Sequence, residues 1–299
     1  MTLQKSNLVV KDNALINASY NLDLVEQRMI LLAIVEARKN GQGINANDPL
    51  TIHAGSYAHQ FGVHRNTSYQ ALKDACRQLF KREFSYQEIR PKGIAHIQSR
   101  WVSQVAYLEE EACVQLIFAP AVVPMITALE EQFTSYELDQ VSGLKSAYAV
   151  RLYELLIAWR STSKTPVFSI EEFRNKLGVE PHEYIRMDHL KSRVLDAAIA
   201  QINTHTDITA TYEQHKRGRT IVGFSFSFAQ KAKAGVERDA NTVDMLTGLT
   251  DSEAAKPKRK TITKAEAERM ARPGEEWPDL LRRITSTHIV LGLKDARAE

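Results

Sequence analysis

From Leu22 to Lys39 the apolar residues fall three and four positions apart. Leu22, Val25, Met29, Leu32 and Val35 line one side of a predicted helix, and Leu24, Leu31 and Ile34 widen the stripe, so it packs against more than one neighbour. Asn21 is placed to cap this helix, Gly41 ends it, and residues 41–49 form a polar loop. Before it, Leu8 to Tyr20 is short and mixed, a strand or an extended arm. Beyond the loop, Leu50 and Ile52 begin a strand, Tyr57 to Phe61 a short helix, and Gly62-Val63 a turn. A longer helix follows in NTSYQALKDACRQLFKR, with Leu72, Ala75, Cys76, Leu79 and Phe80 on an apolar face and Asn66, Gln70, Lys73 and Arg77 on a polar one. Alternation then takes over: Phe84, Tyr86 and Ile89 lead to a turn at Pro91, Lys92 and Gly93. Strands run on through Ile97, Trp101, Val105 and Tyr107 and through Val114, Leu116 and Phe118.

The second half repeats this order. Pro120 and Pro124 bracket the start of a helix from Ala121, a longer helix spans Leu144 to Arg160, and residues 161–166 read as a linker. VFSIEEFRNKLGV then restates LTIHAGSYAHQFGV, with Gly178-Val179 where Gly62-Val63 stood. From Met187, Leu190, Val194, Ala197, Ala198 and Ile202 mark one helical face, while Arg186, His189, Ser192 and Arg193 occupy the other and Lys191 its flank. After Asn203 the period falls to two, through Ile208, Ala210 and Tyr212 and again through Val222, Phe224, Phe226 and Phe228. The reversal between them holds Lys216, Arg217, Gly218 and Arg219, with Gly218 supplying the positive φ of a tight turn. A short helix, a glycine turn, a second helix and a hairpin compose a winged helix. Two such runs predict an α+β protein of two tandem winged-helix domains, residues 1–135 and 136–231, with a flexible C-terminal extension over 232–299.

Composition sharpens this only a little. A chain of 299 residues that is 43% apolar has room for two globular, soluble domains, and a net charge of +3 is too small to argue for a polyanionic partner by itself. Distribution says more: Arg65, Lys73, Arg77, Lys81, Arg82, Arg90, Lys92 and Arg100 face only Asp74, Glu83 and Glu88, whereas Glu109 to Asp139 is acidic without a cation. One face aimed at a polyanion accounts for this change of sign, and so does attraction between the two segments across the fold. Cys76 and Cys113 form no metal-binding or disulfide pattern, Cys76 reading as a small core residue. No signal peptide or membrane span is apparent, so a cytoplasmic location is expected.

The chemistry on offer is DNA recognition. Arg186, His189, Lys191, Ser192 and Arg193 on the second recognition-type helix, and Lys216, Arg217 and Arg219 on its wing, are the candidates for major-groove and phosphate contact. In the first module the candidates are Arg65, Asn66, Lys73, Arg77, Arg90 and Lys92, with helix capping an equal role for Asn66. The same cations also suit a plain solvated helix face. A nicking enzyme would need a tyrosine nucleophile and a His-x-His metal pair, and no two histidines stand two apart; Tyr148 and Tyr153 lie on an apolar stripe. There is no phosphate loop, nucleophile elbow or HExxH motif, so no catalytic residue, cofactor or metal is expected.

Several of these blocks, in order, resemble the Rep_3 family of plasmid replication initiators, of the RepE and Pi type, over about Asn7 to Phe228. LVVKDNALINASYNLDLVEQRMILLAI is similar to the family's start, LKSRVLDAAIAQIN to its second recognition helix and ITATYEQHKRGRTIVGFSFSF to its wing. The family's basic cluster falls on Lys191, Ser192 and Arg193, with Ser192 a departure from a more uniformly basic run. The resemblance implies binding of iteron direct repeats at a plasmid origin as a monomer, opening of adjacent DNA, and recruitment of a host initiator ATPase, replicative helicase and chaperones. It further implies a monomer–dimer equilibrium in which the dimer binds an operator inverted repeat and represses its own gene, within plasmid copy number control. A transcriptional regulator with tandem winged helices shares the fold without the initiation step; a tyrosine-dependent rolling-circle nickase is the remaining alternative. In the tail, Lys256 to Lys260 is a basic cluster in a linker, Thr263 is placed to cap a short helix through Met270, and Trp277, Leu280, Leu281 and Ile284 mark a second one, which docks on the body, offers Trp277 and Leu281 to a host partner, or equally is a loosely ordered extension.

Overall fold

The computed structural model describes residues 7–231, apart from 44, 46 and 128–132, together with 260–263 and 288–291. The chain divides into two compact units, Met1–Ala234 and Gly235–Glu299.

In the first unit, β1 (Leu8–Asp12), α1 (Asn13–Asn17) and β2 (Ser19–Tyr20) precede the long helix α2 (Leu24–Asn40). Its cap is Asp23, not Asn21: the Asp23 carboxylate accepts from Glu26 N at 2.8 Å and Glu26 accepts from Asp23 N at 2.7 Å, a reciprocal capping box. Asn21 instead donates to Glu180 Oε1 at 2.9 Å. Next come β3 (Leu50–His53), α3 (Ala54–Phe61) and α4 (Arg65–Leu79), then β4 (Glu83–Arg90), β5 (Gly93–Arg100), β6 (Val102–Leu108) and β7 (Cys113–Phe118). Phe80, expected on the apolar face of α4, lies past its end and is exposed, because that face closes with Leu79. Trp101 is no strand residue either; buried between β5 and β6, it packs 4.9 Å from the Tyr20 and Phe84 rings.

The chain continues through α5 (Val122–Thr127), β8 (Phe133–Glu137), α6 (Asp139–Ser142) and α7 (Ala147–Ile157), the last shorter at both ends than its apolar spacing suggests. Then follow β9 (Phe168–Ser169) and α8 (Ile170–Leu177), and one continuous helical run made of α9 (Met187–His189), a π-helical segment (Leu190–Leu195) and α10 (Asp196–His205). The hairpin β10 (Ile208–Arg217) and β11 (Thr220–Gln230) closes the unit. Residues 161–166 are not a linker. Thr165 N donates to Phe226 O and Phe228 N to Ser163 O, both at 3.0 Å, so this stretch extends the edge of the hairpin.

The internal repeat is structural. β3, β7 and β6 form one three-stranded sheet in that order, and β9, β11 and β10 form another in the same topological order. α3 and α8 each run eight residues and end at a left-handed glycine, Gly62 at φ 61° and Gly178 at φ 73°. In both, the following valine reaches back, Val63 N to Ala58 O at 3.1 Å and Val179 N to Arg174 O at 2.9 Å, which satisfies a terminal carbonyl. Each unit of the repeat is therefore a winged helix.

One core serves both modules. Phe173, Phe224 and Phe226 of the second are buried in the same cluster as Leu72, Trp101 and Phe118 of the first, each large side chain stabilising by about 1.5–3 kcal/mol. At its centre α7 carries a buried ionic group. Arg151 donates to Tyr20 OH at 2.6 Å, to Glu154 Oε2 at 3.0 Å, to the carbonyls of Ile16 and Ala18 at 3.0 Å, and to that of Lys176 at 2.9 Å. Glu154 also accepts from Lys11 Nζ at 2.7 Å and from Tyr136 OH at 2.6 Å. Burial alone would raise the Glu154 carboxyl, but the Lys11 and Arg151 charges outweigh it and hold the group below the ordinary carboxylate range. A depressed folded-state pKa contributes stability at neutral pH that disappears as pH falls below the unfolded value of about 4.3. Urea midpoints should therefore drop more steeply from about pH 5 to about pH 3 in wild type than in Glu154→Gln; parallel curves would refute this.

In the second unit β12 (Lys260–Thr263) pairs in parallel with β13 (His288–Leu291). Thr263, expected to cap a helix, ends a strand instead. The two expected tail helices and residues 256–259 of the basic cluster lie outside the described residues.

Candidate nucleic-acid interface

The second recognition helix starts at Met187 behind Arg186, whose backbone is extended at φ −76° and ψ 132°. Its buried face holds Leu190, Val194, Leu195, Ala198 and Ile202; Ala197, expected there, is only half-buried, because the π-helical turn shifts the stripe. On the outside Arg186, His189 and Arg193 border one shallow concave surface together with His182, Tyr184 and Ile185. Lys191 and Ser192 lie off it. Ser192 Oγ turns inward and donates to Asp188 O at 2.8 Å.

Asp188, which sequence reasoning passed over, accepts from Arg186 Nε at 3.1 Å and Nη2 at 2.7 Å. Arg186's hydrogen bonds hold the Asp188 carboxyl below its usual range, and the pair fixes the guanidinium at the start of the helix. Arg193 and Lys191 have no ion-pair partner among the described residues. The wing follows the expectation: Lys216, Arg217 and Arg219 are exposed, Gly218 has φ 62°, and Arg217 pairs with Thr220 across the reversal.

The first module differs in one respect that the alternation of residues hides. Sheet topology makes β6–β7 the counterpart of the β10–β11 wing, and its tip is acidic, Glu109 to Glu111. Arg90 and Lys92 stand instead on β4–β5, an additional hairpin that pairs with β2. Lys73 of α4 is ion-paired with Glu109 of the acidic tip, so attraction across the fold accounts for part of the opposed charge runs. Arg77 pairs with Asp74 at 3.7 Å and Arg90 with Glu88 at 3.1 Å, whereas Arg65 and Lys92 are exposed without an ion pair among the described residues. Asn66 does not cap α4; the cap position is His64, without a side-chain hydrogen bond, and Asn66 is exposed in the first turn. Period and composition could not reveal which hairpin is the wing, since both alternate.

Of the two tyrosines singled out on the apolar stripe, Tyr153 is buried and Tyr148 is half-buried. Tyr153 is fully buried, donates to Asp207 at 2.8 Å and is raised by burial, as is Tyr148. Burial pushes the Cys76 thiol up to about 12. Among the described residues no group of His, Cys, Asp and Glu side chains is arranged to hold a metal, and no helix is long and apolar enough to cross a membrane.

Residues 8–157 match the family model of the initiator replication protein WH1 domain, and residues 169–228 that of the initiator Rep protein WH2 domain. The chain belongs to this replication initiator family. The initiator is 24% identical over 246 residues to a replication initiation protein of Escherichia coli, covering 80% of this chain and 76% of the relative. An uncharacterised 27.6 kDa protein of Escherichia coli is 25% identical over 239 residues, covering 77% and 97%. Among solved structures, the Pi initiator protein in complex with iteron DNA shares the fold at a TM-score of 0.63 and 20% identity, over 77% of this initiator and 100% of that chain.

Proposed function

We propose that this initiator binds tandem direct repeats, the iterons, at a plasmid replication origin, as a monomer with both winged helices on one face of the duplex. The observation that carries this reading is the shared core: two recognition helices, each in the same β–helix–turn–helix setting, are held in fixed relation, as successive major grooves require. Arg186, His189, Lys191, Ser192 and Arg193 read bases and the Lys216–Arg219 wing holds phosphate. In the first module Arg65, Asn66, Arg77, Arg90 and Lys92 add backbone contacts, and Lys73 joins them on leaving Glu109. Assigning α7 to the second module as its leading helix sets the module limits at 135 and 231, whereas the WH1 family model runs on to residue 157.

Binding opens an adjacent region and brings in a host initiator ATPase, helicase and chaperones. A dimer occupies an operator inverted repeat and represses the gene. The protein acts in the cytoplasm and cleaves no bond; the burial of Tyr153 is in keeping with that.

Titration of the full chain on its own upstream direct repeats and on scrambled DNA, at one stated salt concentration, tests this. Wild type should prefer the repeats by a factor on the order of 10³ or more. Arg193→Ala should lose about ten- to a hundredfold of that preference, the worth of one bidentate arginine–guanine pair. Equal binding of both DNAs by wild type would overturn the proposal.

A further inference from the structure

Ile185 is the most exposed large apolar side chain among the described residues, at 79%. It directly precedes Arg186, the cap of the second recognition helix, and shares the concave surface bordered by Arg186, His189 and Arg193. An apolar residue at this position commonly staples onto the fourth helical residue. Here that residue, Leu190, is already buried in the core while Ile185 stands in solvent, so the local packing reason is missing.

The turn that presents it is held firmly. Tyr184 adopts a left-handed backbone at φ 42°, a conformation unfavourable for a residue with a Cβ. Arg174 clamps the turn, donating to the carbonyls of Tyr184 at 3.1 Å and of Glu180 and Glu183 at 2.6 Å. The Tyr184 ring packs edge-on against Tyr148 with centroids 6.0 Å apart. A strained, clamped turn displays one isoleucine on a surface that it shares with Glu183, with Arg186, which is paired with Asp188, and with Arg193, which has no ion-pair partner among the described residues; this suits a ligand with both negative charge and an apolar point.

The geometry points to Ile185 as a base-reading residue whose side chain packs on the 5-methyl group of a thymine in the major groove. DNA is the occupant that the unpaired Arg193 on this surface favours, and the thymine methyl is the apolar group that the major groove exposes. The inference rests on the proposed entry of this helix into the major groove.

A uracil scan tests it. The full chain is titrated on duplexes carrying its preferred repeat, with each thymine in turn replaced by uracil, which removes the methyl and leaves every hydrogen-bonding group. Wild type should lose about three- to tenfold at one thymine, the worth of one or two buried methyl groups. Ile185→Ala should show the same loss on unmodified DNA and no further loss at that thymine, while melting at the wild-type temperature as an exposed position requires. A flat scan for wild type, or an Ile185→Ala variant that keeps the wild-type uracil response, overturns the inference while leaving repeat binding intact. A wild type without preference for the repeat over scrambled DNA overturns the functional reading, and this inference with it.

Discussion

Arg151→Ala should destabilise the protein by about 3–5 kcal/mol, since it breaks a buried ionic cluster by removing one partner. The guanidinium is wholly buried and lies 4.0 Å from the centre of the Tyr20 ring. Its removal leaves Lys11 as the one charged partner of Glu154 among the described residues and strips hydrogen bonds from the carbonyls of Ile16, Ala18 and Lys176. Arg151→Met, which keeps most of the volume, should recover little, because unpaired carbonyls rather than a void dominate the loss. Urea unfolding followed by far-ultraviolet circular dichroism reads both variants; a change under about 1 kcal/mol for Arg151→Ala would refute the assignment. Ile16 and Ala18 belong to the N-terminal segment and Lys176 to the second module's α8, so this one side chain joins the beginning of the chain to the second winged helix.

Gly178→Ala should cost more than Gly62→Ala although the two glycines hold the same place in the repeat. Both are left-handed, which alone costs a residue with a Cβ about 1–2 kcal/mol. A Cβ at Gly62 meets nothing within 4 Å, whereas at Gly178 it would lie 2.3 Å from the Tyr20 carbonyl oxygen, a backbone atom that cannot swing aside. Overpacking of that kind adds about 1–3 kcal/mol. The total for Gly178→Ala is then about 2–5 kcal/mol, read as a drop in urea midpoint. Equal midpoints for the two variants would mean that α8 does not rest on β2 as described.

Much of this was legible in residue patterns. The Gly62-Val63 and Gly178-Val179 echoes were visible because only a left-handed helix end calls for that pair after a short apolar-spaced helix, and the basic Lys216–Arg219 reversal was visible because Gly218 marks it. Local chemistry misled at the α2 cap, where Asn21 and Asp23 are both good caps and the choice fell to Glu26, three residues after Asp23. Residues 161–166 looked like a linker because their pairing partners, Phe226 and Phe228, stand some sixty positions on. The acidic wing of the first module was hidden for the same reason: which hairpin joins β3 is a matter of sheet order, not of alternation. The exposure of Ile185 was invisible because exposure is not a property of a residue type.

The π-helical turn from Leu190 to Leu195, closed by Asp196 N bonding to Lys191 O, is equivalent to one residue inserted into an ordinary helix. Each residue turns a helix by about 100°. Deleting one residue there would leave Ala198 and Ile202 seated in the core and turn Arg186 and His189 to another azimuth around the helix axis. The second recognition helix thus carries a site where a single-codon deletion or insertion would re-aim the side chains at its start while leaving its seat in the core unchanged.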